Sequence, residues 1–246
     1  MSAPTELGSL RAALPDDAAA ALDDMLGQVR DRPDTIGRLF PAAARRTTRG
    51  DIGVRDESGQ AVLAEDAVRI ALLRAAVDAL PVEQRAAEVS ALYRFGDSDE
   101  KRAVLLGLAS VESIASLDVL GVLEDALRTN DTRLIGAAMG APATLLDADT
   151  WRQGVLKCLF VGVSLAAVAD LDGRADRDLA DMIARYAHER VAAGRDVPAD
   201  VWRVLARFPD SIEQIGLDSE LNSAYPDRRD AAQRLLANRP TTTREG

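Results

Sequence analysis

Hydrophobic positions recur at helical spacing along almost the whole chain. Leu7, Leu10 and Leu14 fall on one helix face, as do Leu22, Met25, Leu26 and Val29. Pro15, followed by Asp16 and Asp17, stops the first run and starts the second, predicting helices over 4–14 and 17–31. Pro33 and Asp34 open a third, short helix carrying Ile36, Leu39 and Phe40. The period then lapses. Residues 47–62, TTRGDIGVRDESGQAV, are rich in Gly, Thr, Ser and charge and read as a long loop. From Ala64 the period returns and predicts helices over 64–80, 82–95, 98–110, 116–128, 131–146 and 150–162, the fifth uneven around Pro142. Asp97 with Glu100 and Thr150 with Gln153 have capping-box spacing, and Pro81 suits a first helical turn.

The most apolar part of the chain is 154–169, where Lys157 is the only charged residue. An intensely charged helix over 174–193 follows the polar turn 170–178, and Gly194 suits its C-terminal cap. This pairing predicts a buried central helix with an amphipathic helix packed over it. A further helix over 198–208 carries Val201, Trp202, Leu205 and Phe208; 209–226 reads as irregular, 227–238 as a last amphipathic helix and the tail as disordered. Leu73, Leu106 and Met139 are 33 residues apart, as are Gly107 and Gly140, and Ala71, Val104 and Ala137. That period is one helical hairpin of a stacked array. The expected fold is therefore all-α, an α-solenoid-like stack of HEAT-like hairpins without a sheet. Its parts are N-terminal helices over 1–46, a loop over 47–63, a helical core over 64–208 and a looser segment over 209–246.

Composition supports helix. Hydrophobic residues make up 47% of the chain but aromatics only 4%, because alanine dominates, and alanine, leucine and arginine are strong helix formers. A net charge of −10 argues against a nucleic-acid binder, which needs a basic face, and against adsorption to anionic membranes. Cys158 is the single cysteine, so no intramolecular disulfide forms; with His188 the single histidine, Cys and His cannot build a zinc site. No cofactor is expected. The N-terminus lacks a basic flank followed by an apolar run, so no secretory signal is expected. The apolar run 154–169 is shorter than the roughly 20 residues of a membrane span, and a lysine and two glycines interrupt it. The expected location is the cytoplasm.

Two cations stand out. The chain has 30 lysines and arginines, of which only Lys101 and Lys157 are lysines, so a lysine in its most apolar helix is unusual. Lys157 is either a desolvated amine facing an anionic or carbonyl ligand, or a stem packed on the core with its ammonium reaching water, and the second reading is preferred. Arg190 falls on the stripe of Leu179, Ile183, Tyr186 and Ala187, and a cation there needs an anion. Asp170, Asp172 or Asp176 is the expected salt-bridge partner, although a last-turn arginine can also bend toward C-terminal carbonyls. His188 lies on the polar face as a solvated side chain. The pairs Asp147/Asp149 and Asp170/Asp172 could hold magnesium, but capping of helix N-termini explains them better. Gly136 and Gly140 fit close helix packing. No phosphate-cradling loop, nucleophile elbow or HExxH motif is present.

Four segments carry a family resemblance: Asn130-Asp-Thr-Arg-Leu; Trp151-Arg-Gln-Gly-Val-Leu-Lys-Cys-Leu-Phe-Val-Gly-Val; Leu171-Asp-Gly-Arg-Ala-Asp with Leu179-Ala; and Tyr186-Ala-His-Glu-Arg with Ala193-Gly-Arg. Together they resemble the EboA family of bacterial metabolite-traffic proteins, most strongly over 130–208. Ser164 departs from the family pattern, which has proline there, and this bears on how the preceding helix ends. The resemblance implies a gene neighbourhood rather than a reaction. EboA-like genes lie with those for a UbiA-type prenyltransferase, a TatD-like hydrolase, a dehydroquinate-synthase-like enzyme and a TIM-barrel protein. That cluster is linked to moving a secondary-metabolite precursor from cytoplasm to periplasm. The family has no established catalytic residues. The matching motif positions, Trp151, Lys157, Phe160, Gly162, Arg174, Asp176 and Arg190, are candidates for ligand or partner contact.

Two functions are compatible with this. One is a non-catalytic helical adaptor that works with proteins of its gene cluster and a small metabolite. The other is a small isomerase or lyase acting through Lys157 on a phosphorylated or prenylated intermediate.

Overall fold

The computed structural model describes residues 7–55, 61–111, 118–213 and 215–240. The chain divides into two compact units, 1–146 and 147–246. The division falls inside the expected 64–208 core.

The first unit holds α1 (Leu7–Ala13), α2 (Asp16–Asp31), α3 (Ile36–Arg46), β1 (Asp51–Arg55), β2 (Ala61–Leu63), α4 (Ala64–Ala79), α5 (Val82–Phe95), α6 (Ser98–Leu108), α7 (Leu120–Arg128) and α8 (Thr132–Met139). α8 stops at Met139 with Gly140 as its C-cap, and a 3-10 segment, Ala141–Leu145, carries Pro142, so the helix expected over 131–146 is shorter and its uneven part is 3-10. The segment 112–117, where the helix expected from 116 would begin, lies outside the described residues. Asp97 caps α6 through the Glu100 amide at 2.9 Å, as its spacing predicts. Asp131 caps α8 through the Arg133 amide at 2.9 Å.

The expectation of no sheet is corrected. β1 and β2 pair antiparallel within the predicted loop, with Asp51 opposite Leu63 and Arg55 opposite Ala61 and an irregularity between. Ile52 and Val54 turn inward on alternate positions, and Gly53 adopts a φ of +77°, open to glycine and strained for other residues. Two short strands pinned by Ala64 N–H to the Gly50 carbonyl at 2.8 Å are a local ornament on a helical unit.

α4 is the most deeply buried helix. It packs against α2, α3 and α6, and α6 packs in turn on α8. Val68, Leu72, Leu73 and Ala76 are fully enclosed. Gly107 of α6 faces Leu73, where an added Cβ would lie 2.7 Å from Leu73 Cδ2, so glycine permits the close approach of α4 and α6. Gly140, its counterpart one period on, serves instead as the C-cap of α8. Leu106 is 37% exposed whereas Leu73 and Met139 are buried. The 33-residue echo is thus one of spacing and not of role. Charge is buried as well: Glu65, Asp66 and Arg69 of α4 all lie in the interior.

The second unit comprises α9 (Ala148–Val161), α10 (Leu171–Arg174), α11 (Arg177–Ala192), α12 (Trp202–Leu205), α13 (Pro209–Glu213), α14 (Leu217–Leu221) and α15 (Pro226–Ala237). Two corrections concern its outline. The segment 209–226, read as irregular, contains the short helices α13 and α14, and α10 interrupts the expected polar turn. α9 begins a turn earlier than the Thr150 box implies: Asp147 is its cap, accepting from the Thr150 amide at 2.8 Å and the Thr150 hydroxyl at 2.9 Å. α11 ends as expected at Gly194, which has a φ of +65° and lies so close to α15 that a Cβ would meet Asp227 Cβ at 2.8 Å. Trp202 anchors α12 to α15 by donating its indole N–H to the Leu235 carbonyl at 3.0 Å. Residues 241–246, most of the tail expected to be disordered, are outside the described residues. Among the described residues no helix is long and apolar enough to cross a membrane.

Candidate functional site

α9 and α11 run side by side in the same direction, because Arg152 meets Asp176 at their N-terminal ends and Tyr186 meets Leu159 toward their C-terminal ends. α9 does not sit in the core on all sides, as its apolar sequence suggested. Trp151, Val155, Cys158 and Leu159 are buried, while Gln153 and Phe160 are exposed and Leu156, Lys157 and Val161 half-buried.

At the N-terminal end the organising side chain is Arg152. Its Nε donates to Asp176 at 3.0 and 3.1 Å, one Nη donates to Asp176 at 2.5 Å, and the other donates to Asp149 at 2.6 Å. Asp178 lies 3.4 Å away. Asp176 also caps α11 by accepting from the Leu179 amide at 3.0 Å. The hydrogen-bonded Arg152 guanidinium, helped by that amide, holds the Asp176 carboxyl below the usual aspartate range against the opposing effect of burial. The Arg174 guanidinium stacks 4.7 Å above the ring of Trp151, which is 1% exposed. Beside this network Asp149, Arg152, Gln153, Asp178 and Arg185 line a cleft of about 440 Å³.

At the other end Phe160, 59% exposed, meets the ring of Tyr186 edge-on at 4.8 Å. Tyr186 donates its hydroxyl to the Leu159 carbonyl at 3.2 Å, and burial raises its pKa while Arg190 opposes the rise. Gly162 closes α9 in the left-handed conformation, φ +81° and ψ 25°, and the Val163 amide folds back to the Cys158 carbonyl at 2.9 Å. The helix therefore ends without the family's proline. Ser164 has work of its own, donating to Asp200 at 2.9 Å and accepting from the Ala166 amide at 3.2 Å to cap the 3-10 turn Leu165–Ala167.

The seven candidates thus fall into two groups. Trp151, Arg174 and Asp176 gather at one end, Phe160, Gly162 and Arg190 at the other, and Lys157 stands between them on α9. From Trp151 to Phe160 the helix advances about 14 Å at 1.5 Å per residue.

The expected salt bridge of Arg190 with Asp170, Asp172 or Asp176 is not formed. Arg190 donates Nε to the Asp196 backbone carbonyl and lies 5.7 Å from the Tyr186 ring. The reason is plain geometry. The turn that supplies those carboxylates precedes α11 whereas Arg190 is in its last turn, about 21 Å further along the axis from Asp176. Those aspartates have other neighbours: Asp176 is held by Arg152, Arg207 lies 3.7 Å from Asp172, and Asp170 takes φ +53° against Gly173. The other reading of Arg190, a last-turn cation bending toward the helix's C-terminal carbonyls, is met only in part, because the carbonyl it reaches is that of Asp196, beyond α11. His188 is exposed as expected but is tied at 3.0 Å to the Ile215 carbonyl, so Nδ1 carries the hydrogen. Asp147 is a cap, as the capping reading of the paired aspartates expected, and Asp149 binds Arg152. Cys158 is buried, and burial pushes its thiol up to about 12.

Arg152 was not among the candidates. Its signal was the interval of 24 residues to Asp176, which pattern reading cannot distinguish from any other Arg–Asp interval until α10 and its flanking turns fold α11 back alongside α9.

The sequence model of one family, described as metabolite traffic protein EboA, matches residues 64–206. The chain belongs to the EboA family. All seven candidates and Arg152 lie within that match, as do α4–α8 of the first unit. No curated protein and no solved structure shows significant similarity to this EboA chain.

Proposed function

We propose that this EboA chain is a non-catalytic helical accessory protein in the traffic of a secondary-metabolite precursor. In this reading it works in a bacterial cytoplasm and docks onto enzymes encoded beside it. The observation that carries the reading is the outward stripe of α9. Gln153, Lys157 and Phe160 recur at helical spacing, Phe160 is 59% exposed, and Tyr186 braces it from α11. A rigid, largely exposed aromatic with a nearby cation suits a contact point for a partner. The acids and bases around it act as structure: Arg152 ties α9 to the start of α11, Arg174 covers Trp151, and Arg190 closes the end of α11. In the same reading α4–α8 form hairpins of an α-solenoid. The packing of α4 on α6 and of α6 on α8, with α5 against α6 and α7 against α8, supports it.

The test deletes the gene and measures the precursor in cytoplasmic and periplasmic fractions by mass spectrometry. The wild-type gene should restore the distribution, and Phe160→Asp should not despite normal folding. Turnover of a cluster-related intermediate by the purified protein, lost in Lys157→Ala, would replace this reading with the isomerase or lyase.

A further inference from the structure

We propose that the chain pairs with a second copy of itself through the C-terminal half of α5, the Phe95 of each copy seating in the groove between α3 and α5 of the other. Phe95 is 82% exposed, more than any other large apolar side chain among the described residues. It stands at the rim of a groove that Gly37 and Pro41 of α3 and Glu88, Ala91 and Leu92 of α5 also line. The groove has a volume of about 140 Å³. An apolar cavity of about 150 Å³ accepts one benzene ring, so a single phenyl side chain is an occupant of the right size.

Knob and groove share one face. Glu88, Ala91, Leu92 and Phe95 are spaced i, i+3, i+4 and i+7 along α5, which makes them a single stripe. A patch that carries both halves of a contact is self-complementary, the property that a two-fold dimer requires and that a contact with an unrelated protein does not.

Charge points to the same occupant. Arg94 is exposed, lies 5.6 Å from the Phe95 ring and pairs with no carboxylate among the described residues. Glu88, in the groove, is half-buried and pairs with no cation among the described residues. Burial, and then Asp34, push its carboxyl upward, a cost that a guanidinium beside it relieves. Two antiparallel α5 helices with Phe95 opposite Ala91 of the second copy leave Arg94 about 6 Å along the axis from that copy's Glu88. An arginine side chain spans that distance, and the two-fold axis makes the contact twice. The patch lies wholly within the first unit, so the proposal is independent of the Phe160 surface.

The experiment is sedimentation of the full chain at pH 7 over a concentration series. A monomer–dimer equilibrium is expected with a dissociation constant on the order of 100 µM, because the patch is small beside a standard interface of about 1,600 Å². Phe95→Ala removes a side chain that is mostly exposed in the monomer, and it should weaken pairing at least tenfold. Arg94→Glu and Glu88→Arg should each fail to pair alone, since like charges then meet at both contacts. An equimolar mixture of these two variants should pair about as tightly as the wild type, which also shows that both fold. A monomer throughout the series would overturn the proposal and leave Phe95 to another partner or to its own groove. A dimer unchanged by Phe95→Ala, or a mixture no tighter than the separate variants, would overturn it too.

Discussion

Replacing Asp66 tests whether the buried charges of the first unit stabilise it or merely compensate one another. Asp66 of α4 receives Arg102 of α6 at 2.9 and 3.1 Å, with side chains only 8% and 13% exposed. Removing one partner leaves the other ionised in the interior. Asp66→Ala should therefore cost about 3–5 kcal/mol, a large share of a domain stability of roughly 5–15 kcal/mol. In urea, with a slope of about 2–3 kcal/mol/M, the midpoint should fall by about 1–2 M. Arg102→Met alone should cost a similar amount. The double variant Asp66→Leu/Arg102→Met, which removes both charges and refills the space, should return to within about 1 kcal/mol of wild type or exceed it. Burial outweighs the attraction of Arg102 and raises the Asp66 pKa, so the folded chain holds this proton to a higher pH than the unfolded one. Its contribution is then fully present below about pH 4 and is lost as pH rises through the raised value, a decline the double variant should lack. Far-ultraviolet circular dichroism, which follows the helices of the first unit, is the assay, since Trp151 and Trp202 both lie in the second. If the double variant is as unstable as the sum of the single changes, the charges are not coupled and the reasoning fails.

Three other changes probe the second unit. Gly162→Ala places a side chain at φ +81° where nothing lies within 4 Å, so its cost should be conformational alone, about 1 kcal/mol in a denaturant titration; no loss would mean that the left-handed end of α9 is not required. Asp176 has its carboxyl lowered by Arg152, so its share of stability is present above the ordinary aspartate range and is lost as pH falls through the depressed value. Thermal melts from pH 7 to 3 should decline less steeply for Asp176→Asn, and parallel curves would refute that assignment. The Cys158 thiol, buried and with its pKa pushed up to about 12, should react with a disulfide reagent only after unfolding, so rapid labelling of the native chain would contradict its packing.

The sequence by itself determined the helices. Periodicity and punctuation are local: Pro15 before α2, Asp97 before α6 and Gly194 after α11 act through the few residues on either side, so their spacing could be read directly. The EboA motif positions and the buried stripe of α11 were legible for the same reason. Where local signals are weak or compete, reading fell short, as in the β1–β2 pair within a Gly-rich loop and the two short helices between 209 and 226. Tertiary structure alone decided the rest. Residues 154–169 were the most conspicuous apolar stretch, yet α4 is enclosed more completely, because enclosure depends on α2, α3 and α6 arriving around it. Arg152 meets Asp176 only because α9 and α11 run in the same direction, an orientation set by the 162–176 connection and invisible to either helix's pattern. Arg190 shows the converse: the helical wheel placed it on the correct face but, being a projection down the axis, discarded the distance along α11 that keeps it from the carboxylates.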